Sequence, residues 1–352
     1  MRSLAVWIVL ILALFTFIPT TAQDNDERLI TAADAVGIRQ LAVLEGHFEA
    51  VHGLAFSPDS ELLASAGDDF TVRVWQVAST AQPYSRELHA GFARDVAFTQ
   101  LDEQLLLASA GWDRLVVLSE VPADAPEDTE QITTLPAGNA VIDHVAFSPD
   151  GTQIAHTIGS GVVAVYDTDT QEPINRYEMP TLQGTALAFS PDGRYLAAAS
   201  GFPSTAISVF DLDSDELQAA YTLDADSGTI TGAVFLPVAD DTPLTLVTVD
   251  DAGGIRLWQL AEEASVIGEG QLEDAWPLAV DVTPAGDLLA IGQLDGRVQL
   301  WDISEPTTPV VAAVLRGSGT GPEYAITFSP DGTLLATGGD DGMISLWGLP
   351  LD

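Results

Sequence analysis

Along most of the chain the apolar residues fall in short runs broken by turn residues, and nowhere at helical spacing. His52 to Phe56 reads as a strand entering the turn Ser57-Pro58-Asp59, Leu62 to Ala66 as the next strand, and Asp68-Asp69 as a second turn. Thr71 to Trp75 follows as a β-branched strand with Val72 and Val74 alternating. Runs such as Leu105-Leu106-Leu107-Ala108 are apolar on both faces, as expected of strands covered from two sides. The exception is Leu4 to Ile18, apolar except for Thr16. As a helix it would reach about 22 Å, short of the ~30 Å core of a bilayer.

The strand pattern repeats. Phe56-Ser57-Pro58-Asp59 returns at Phe147 to Gly151, Phe189 to Gly193 and Phe328 to Gly332, with degenerate copies at Phe98-Thr99, Phe235-Leu236-Pro237 and Val282 to Gly286. About twenty residues after each comes a second landmark: Trp75-Gln76, Ser119-Glu120, Tyr166-Asp167, Phe210-Asp211, Trp258-Gln259, Trp301-Asp302 and Trp347-Gly348. Their spacings are 44, 47, 44, 48, 43 and 46 residues. Gly151, Gly193 and Gly332 sit where a tight hairpin demands φ > 0.

A period near 45 closing on an aromatic-acidic pair resembles the WD-repeat β-propeller family, from about Ile38 to Gly348. Only Trp301-Asp302 is literal, and Ser119-Glu120 lacks the aromatic residue. The resemblance implies an all-β, seven-bladed propeller with four antiparallel strands per blade. The seventh repeat stops after its third strand, so Ile38 to Leu44 is expected to supply the fourth and lock the ring. The domain reading is then a signal peptide over 1–22, an acidic linker over 23–37 and a propeller over 38–352.

Charge and the N-terminus set the compartment and exclude several chemistries. Met1-Arg2, the apolar run and Thr20-Thr21-Ala22 read as a secretory signal cleaved before Gln23, an uncleaved anchor being the alternative. With no Lys and no Cys, lysine Schiff-base chemistry, thiolate catalysis, disulfides and Cys-bound zinc are excluded. The formal net charge is −40, and removing Arg2 with the signal leaves −41, a field that repels nucleic acid and anionic lipid.

Residues that look chemical have structural readings. The family resemblance implies a buried hydrogen-bonded chain of His47, Ser65, Asp69 and Trp75 in repeat one. Repeat two keeps His89, Ser109 and Asp113, and repeat seven keeps Thr337, Asp341 and Trp347 with Ser318 in place of the His. The doublets Asp68-Asp69, Asp250-Asp251 and Asp340-Asp341 fall at equivalent turns but lack the ligand spacing of a calcium loop. His52, His144 and His156 show no zinc spacing. No metal, cofactor, nucleophile elbow or phosphate loop is expected; Gly317 to Gly321 reads as a connecting loop.

Four residues before each repeat's Phe lies a slot whose occupants differ: His52, Arg94, Asp143, Thr185, Thr231, Leu278 and Tyr324. The family resemblance puts this slot on the face that commonly binds ligands. Just before the turn Asp, Asp68, Trp112 and Asp340 form a second variable set, and Trp112 and Tyr324 are candidate anchors. The expected function is an exported scaffold, a monomeric ring without enzymatic activity or a lasting membrane span, binding a protein or peptide and no nucleic acid. The alternative is an extracytoplasmic propeller enzyme or carbohydrate binder with its site at the central channel.

Overall fold

The computed structural model describes residues 29–350 apart from 80–82, 123–124, 137, 183, 202–204, 215–216, 226–227, 238–242, 274 and 318–320. Twenty-eight strands among the described residues, from β1 (Arg39–Glu45) to β28 (Met343–Gly348), form seven four-stranded antiparallel sheets, the blades of a propeller. Blade one runs outward through β2 (Val51–Phe56), β3 (Leu62–Gly67), β4 (Thr71–Gln76) and β5 (Tyr84–Glu87).

The Ser-Pro-Asp turns work as their composition suggests. Ser57 Oγ donates to Asp59 and accepts from the Leu62 N–H at 2.9 Å, and Ser148, Ser190 and Ser329 repeat the arrangement. Gly151, Gly193 and Gly332 follow at φ 71 to 74°, with Ser60 at 64° in blade one. Blade two lacks the motif and joins longer strands, β6 (Ala93–Leu101) and β7 (Gln104–Gly111), through a tight turn at Asp102.

Every residue of β3 is buried, because blade one lies between two neighbours. Leu62, Ala64 and Ala66 pack with Val96, Leu105 and Leu107 of blade two, while Leu63 packs with Ala336, Ile344 and Leu346 of blade seven. Each large side chain so buried contributes about 1.5–3 kcal/mol. The ring closes as the repeat count requires: β1 pairs with β28 from Arg39↔Gly348 to Glu45↔Met343, completing the seventh blade.

The segment just before β1 departs from the linker expectation over its described part. Residues 29–37 are packed on the ring, with a 3-10 turn at Ala32–Gly37. The Ile30 N–H donates to Gly332 O at 2.8 Å, the Ala32 N–H donates to Asp287 Oδ2 at 2.9 Å, and Ile30, Ala35 and Ile38 enter the core between blades six and seven. The acidic residues at 24–27 colour the composition of a stretch whose later half supplies apolar residues to that seam. Residues 23–28, and the expected signal peptide before them, lie outside the described residues.

Candidate partner-binding face

Blade one contains a buried polar chain. His47 Nδ1 lies 2.9 Å from Asp69 Oδ1, its Nε2 lies 2.7 Å from Ser65 Oγ, and Trp75 Nε1 donates to Ser65 Oγ at 2.9 Å. Burial lowers the His47 pKa despite Asp69, so the ring is neutral, donating from Nδ1 and accepting the Ser65 hydroxyl at Nε2. Burial opposes ionisation of Asp69, but hydrogen bonds from His47, Thr71 and the Phe48 N–H prevail and hold it far below the usual carboxylate range. Gly67 has no freedom here: a Cβ would come within 2.5 Å of His47 Nδ1. No reacting group faces open space, so the set ties a loop to the blade.

The other blades keep parts of this chain. His89 bridges Asp113 (3.0 Å) and Ser109 (2.8 Å) in blade two. In blade five Trp258 Nε1 donates to Thr248, and Asp250 holds Arg256 at 2.9 Å. Asp250-Asp251 proves to be shifted by one residue from the other doublets. The Asp251 N–H bonds Thr229 O as the Asp68 N–H bonds Ala50 O, which puts Asp250 at the place of Gly67. In blade seven Ser318 lies outside the described residues; Glu323 accepts from Thr337 and adjoins Asp341. Burial, reinforced by Asp341, pushes Glu323 up to about 7.

The variable slot has a backbone cause. In six blades the strand register shifts there, between Val51/Gly53, Ala93/Asp95, Gly184/Ala186, Ile230/Gly232, Pro277/Ala279 and Glu323/Ala325. The slot residue is thus the extra residue of a β-bulge, which re-aims its side chain out of the alternation.

Across blades seven, one, two and three the slot residues join into one arc. The rings of Tyr324 and His52 are 4.5 Å apart, His52 Nε2 lies 3.0 Å from Asp68, and Arg94 reaches Asp68 at 3.3 Å. The Arg94 guanidinium lies 5.1 Å from the Trp112 ring centroid, and Trp112 Nε1 donates to Asp143 Oδ1 at 2.9 Å. Burial and Arg94 lower the His52 pKa, so Arg94 supplies the positive charge facing Asp68 at neutral pH. Burial, then Asp340 and Asp68, raise that of Tyr324. Thr185 lies outside the arc, donating to Ile230 O at 2.6 Å; Thr231 lies 3.5 Å from Val249 O in its own blade, and Leu278 lines the channel.

The channel encloses about 300 Å³. Its lining includes Asp95, His144 and Asp281, which the slot comparison missed. For Asp95 and His144 the signal lay one position further on, where Gly53, Asp95, His144, Ala186, Gly232, Ala279 and Ala325 align and two charge-capable residues interrupt small ones. Asp95 accepts from the Val145 N–H of blade three at 3.1 Å and lies 3.6 Å from His144. Asp281 accepts from the Phe328 N–H of blade seven at 2.7 Å, and burial pushes its pKa up to about 6. Both carboxylates fasten neighbouring blades together. Among the described residues no three His, Asp or Glu side chains are grouped as metal ligands, and no helix is long and apolar enough to cross a membrane.

Comparison with known proteins agrees with this geometry. The family described as WD domain, G-beta repeat matches residues 38–76, 183–202 and 311–348. The nuclear distribution protein PAC1 of Arthroderma otae is 26% identical over 286 residues, 74% of this chain and 60% of its own length. The WD repeat-containing protein slp1 of Schizosaccharomyces pombe is 26% identical over 46% of this chain and 33% of its own. Human Striatin-4 is 29% identical over 45% of this chain and 21% of its own. The chain thus spans at most about 60% of the length of these relatives.

Proposed function

Because the chain is a seven-bladed β-propeller of the WD-repeat family, we propose that it is an exported, non-catalytic scaffold that holds a protein or peptide partner on the face carrying the Tyr324–Asp143 arc. One observation carries the reading: six side chains from four blades meet there, and three of them, Tyr324, His52 and Arg94, stand at β-bulges that turn them out of the strand alternation. A fold needs no such variety there, since the neighbouring Phe position is Phe in six repeats. The protein-binding scaffold reading is also consistent with the WD-repeat relatives, and export with the apolar run and small residues ending at Ala22.

The reading of a channel enzyme or sugar binder draws on Asp95, His144 and Asp281. It is weaker because Asp95 and Asp281 are already engaged by backbone amides of the next blade.

The test is capture from the exported fraction of the source organism with immobilised protein, comparing wild type, a His52→Ala/Tyr324→Ala double variant, and Ile174→Ala on an outer strand. Wild type and Ile174→Ala should retain the same partner and the double variant should lose it; retention by all three would sink the face assignment. Intact mass of the exported chain should start at Gln23, and a membrane-held form keeping Met1 to Ala22 would overturn the cleavage.

A further inference from the structure

We propose that the rim of blades one and two, where the mutually tilted rings of Phe70, Phe92 and Trp112 form a row near Asp68 and Asp143, anchors an arginine or lysine side chain of the partner. This rests on the partner-binding reading above and names the chemistry of that partner.

Phe70 occupies its place against its own preference. At the equivalent turn position blades three, five, six and seven use Gly161, Gly253, Gly296 and Gly342, all with positive φ, whereas blades one and two carry Phe70 at φ 68° and Arg114 at φ 75° with bulky side chains. Burial does not explain it, since Phe70 is 42% exposed. What the ring does is extend a ladder: Phe70 and Phe92 centroids are 5.7 Å apart, Phe92 and Trp112 5.2 Å, with Trp112 itself 40% exposed.

The surroundings of the ladder select a cation. Arg94 demonstrates the chemistry within the molecule, its guanidinium lying against the Trp112 ring while bonded to Asp68. Phe70 has no cation over its ring among the described residues. Asp143 is 7% exposed; its Oδ1 takes the Trp112 N–H, and its Oδ2 has no hydrogen-bond partner among the described residues. Asp68 already holds Arg94 and His52, but Asp143 does not have a cation among the described residues; an apolar occupant would cover it without compensation, whereas a guanidinium or ammonium meets an aromatic face and that charge. A second copy of the chain, with a formal net charge of −40, is disfavoured by repulsion, as is a nucleic acid.

Two variants leave every charge in place: Phe70→Gly, which removes a ring and relieves the backbone, and Trp112→Leu, which removes a ring together with the N–H bonded to Asp143. A random dodecapeptide display library, selected against the wild-type protein in 0.15 M NaCl, should enrich Arg or Lys. The best binder, labelled with fluorescein, should lose at least tenfold in affinity on Phe70→Gly while that variant melts no lower than wild type. Trp112→Leu should weaken it similarly. Undiminished binding to Phe70→Gly would reveal diffuse attraction of cations to an acidic protein and overturn the anchor, as would selection without Arg or Lys enrichment. Binders of that second kind that are lost on the His52→Ala/Tyr324→Ala variant would uphold the partner face while rejecting the cationic anchor; binders indifferent to every variant would count against both.

Discussion

The indole N–H of Trp112, on the turn of blade two, donates to Oδ1 of Asp143 in blade three at 2.9 Å, and so joins a candidate anchor to the neighbouring blade. Trp112→Phe keeps a ring and removes the donor. It should destabilise the protein by about 1–2 kcal/mol, and a double-mutant cycle with Asp143→Ala should return a coupling of about 1 kcal/mol. Additive effects in denaturant titrations would show that the bond contributes nothing to the fold.

Glu323 makes blade seven sensitive to pH in a definite direction. Its folded pKa is raised to about 7, above the ordinary 4.5, so the folded state binds this proton more tightly than the unfolded chain. Its contribution is therefore fully present below about 4.5 and is lost as pH rises through 7. Glu323→Gln should raise stability by roughly 1–3 kcal/mol at pH 8 and leave it nearly unchanged at pH 4. Urea titrations at the two pH values check this, and equal effects at both would refute it.

The segment before β1 belongs to the fold. Chains beginning at Leu29, Ala35 and Glu45 should melt in descending order. The first step removes buried Ile30 and its bond to Gly332, at about 2–4 kcal/mol; the second removes the strand that closes blade seven and exposes an edge. Equal melting of the chains beginning at Ala35 and Glu45 would contradict strand closure as a source of stability.

Self-repulsion should show in salt. A formal net charge of −40 burdens the compact ring more than the expanded chain, so melting temperature should rise with NaCl as the screening length falls from about 30 Å at 0.01 M to about 3 Å at 1 M. CaCl₂ at matched ionic strength should act alike, since no cluster of metal ligands is assembled among the described residues. A flat or falling NaCl series would refute the argument, and saturation at micromolar calcium would point to a carboxylate site.

What the sequence determined by itself was whatever repeats: the number of blades, the Ser-Pro-Asp turns and the need for a strand before residue 45. These depend on local turn chemistry and on a period that one chain displays seven times. Tertiary structure decided the rest, because it depends on contacts between blades. A bulge turns His52, Arg94 and Tyr324 out of the strand alternation, and no residue type announces a bulge. Asp250 moved one place from its apparent equivalents because hairpin register, which hydrogen bonds fix, disagreed with the visible doublet. Residues 29–37 lost their identity as linker because Ile30 and Ala35 find a seam between blades six and seven. Asp143, Trp112, Arg94 and Asp68 are separated by up to 75 residues in sequence, and only the closed ring makes them neighbours.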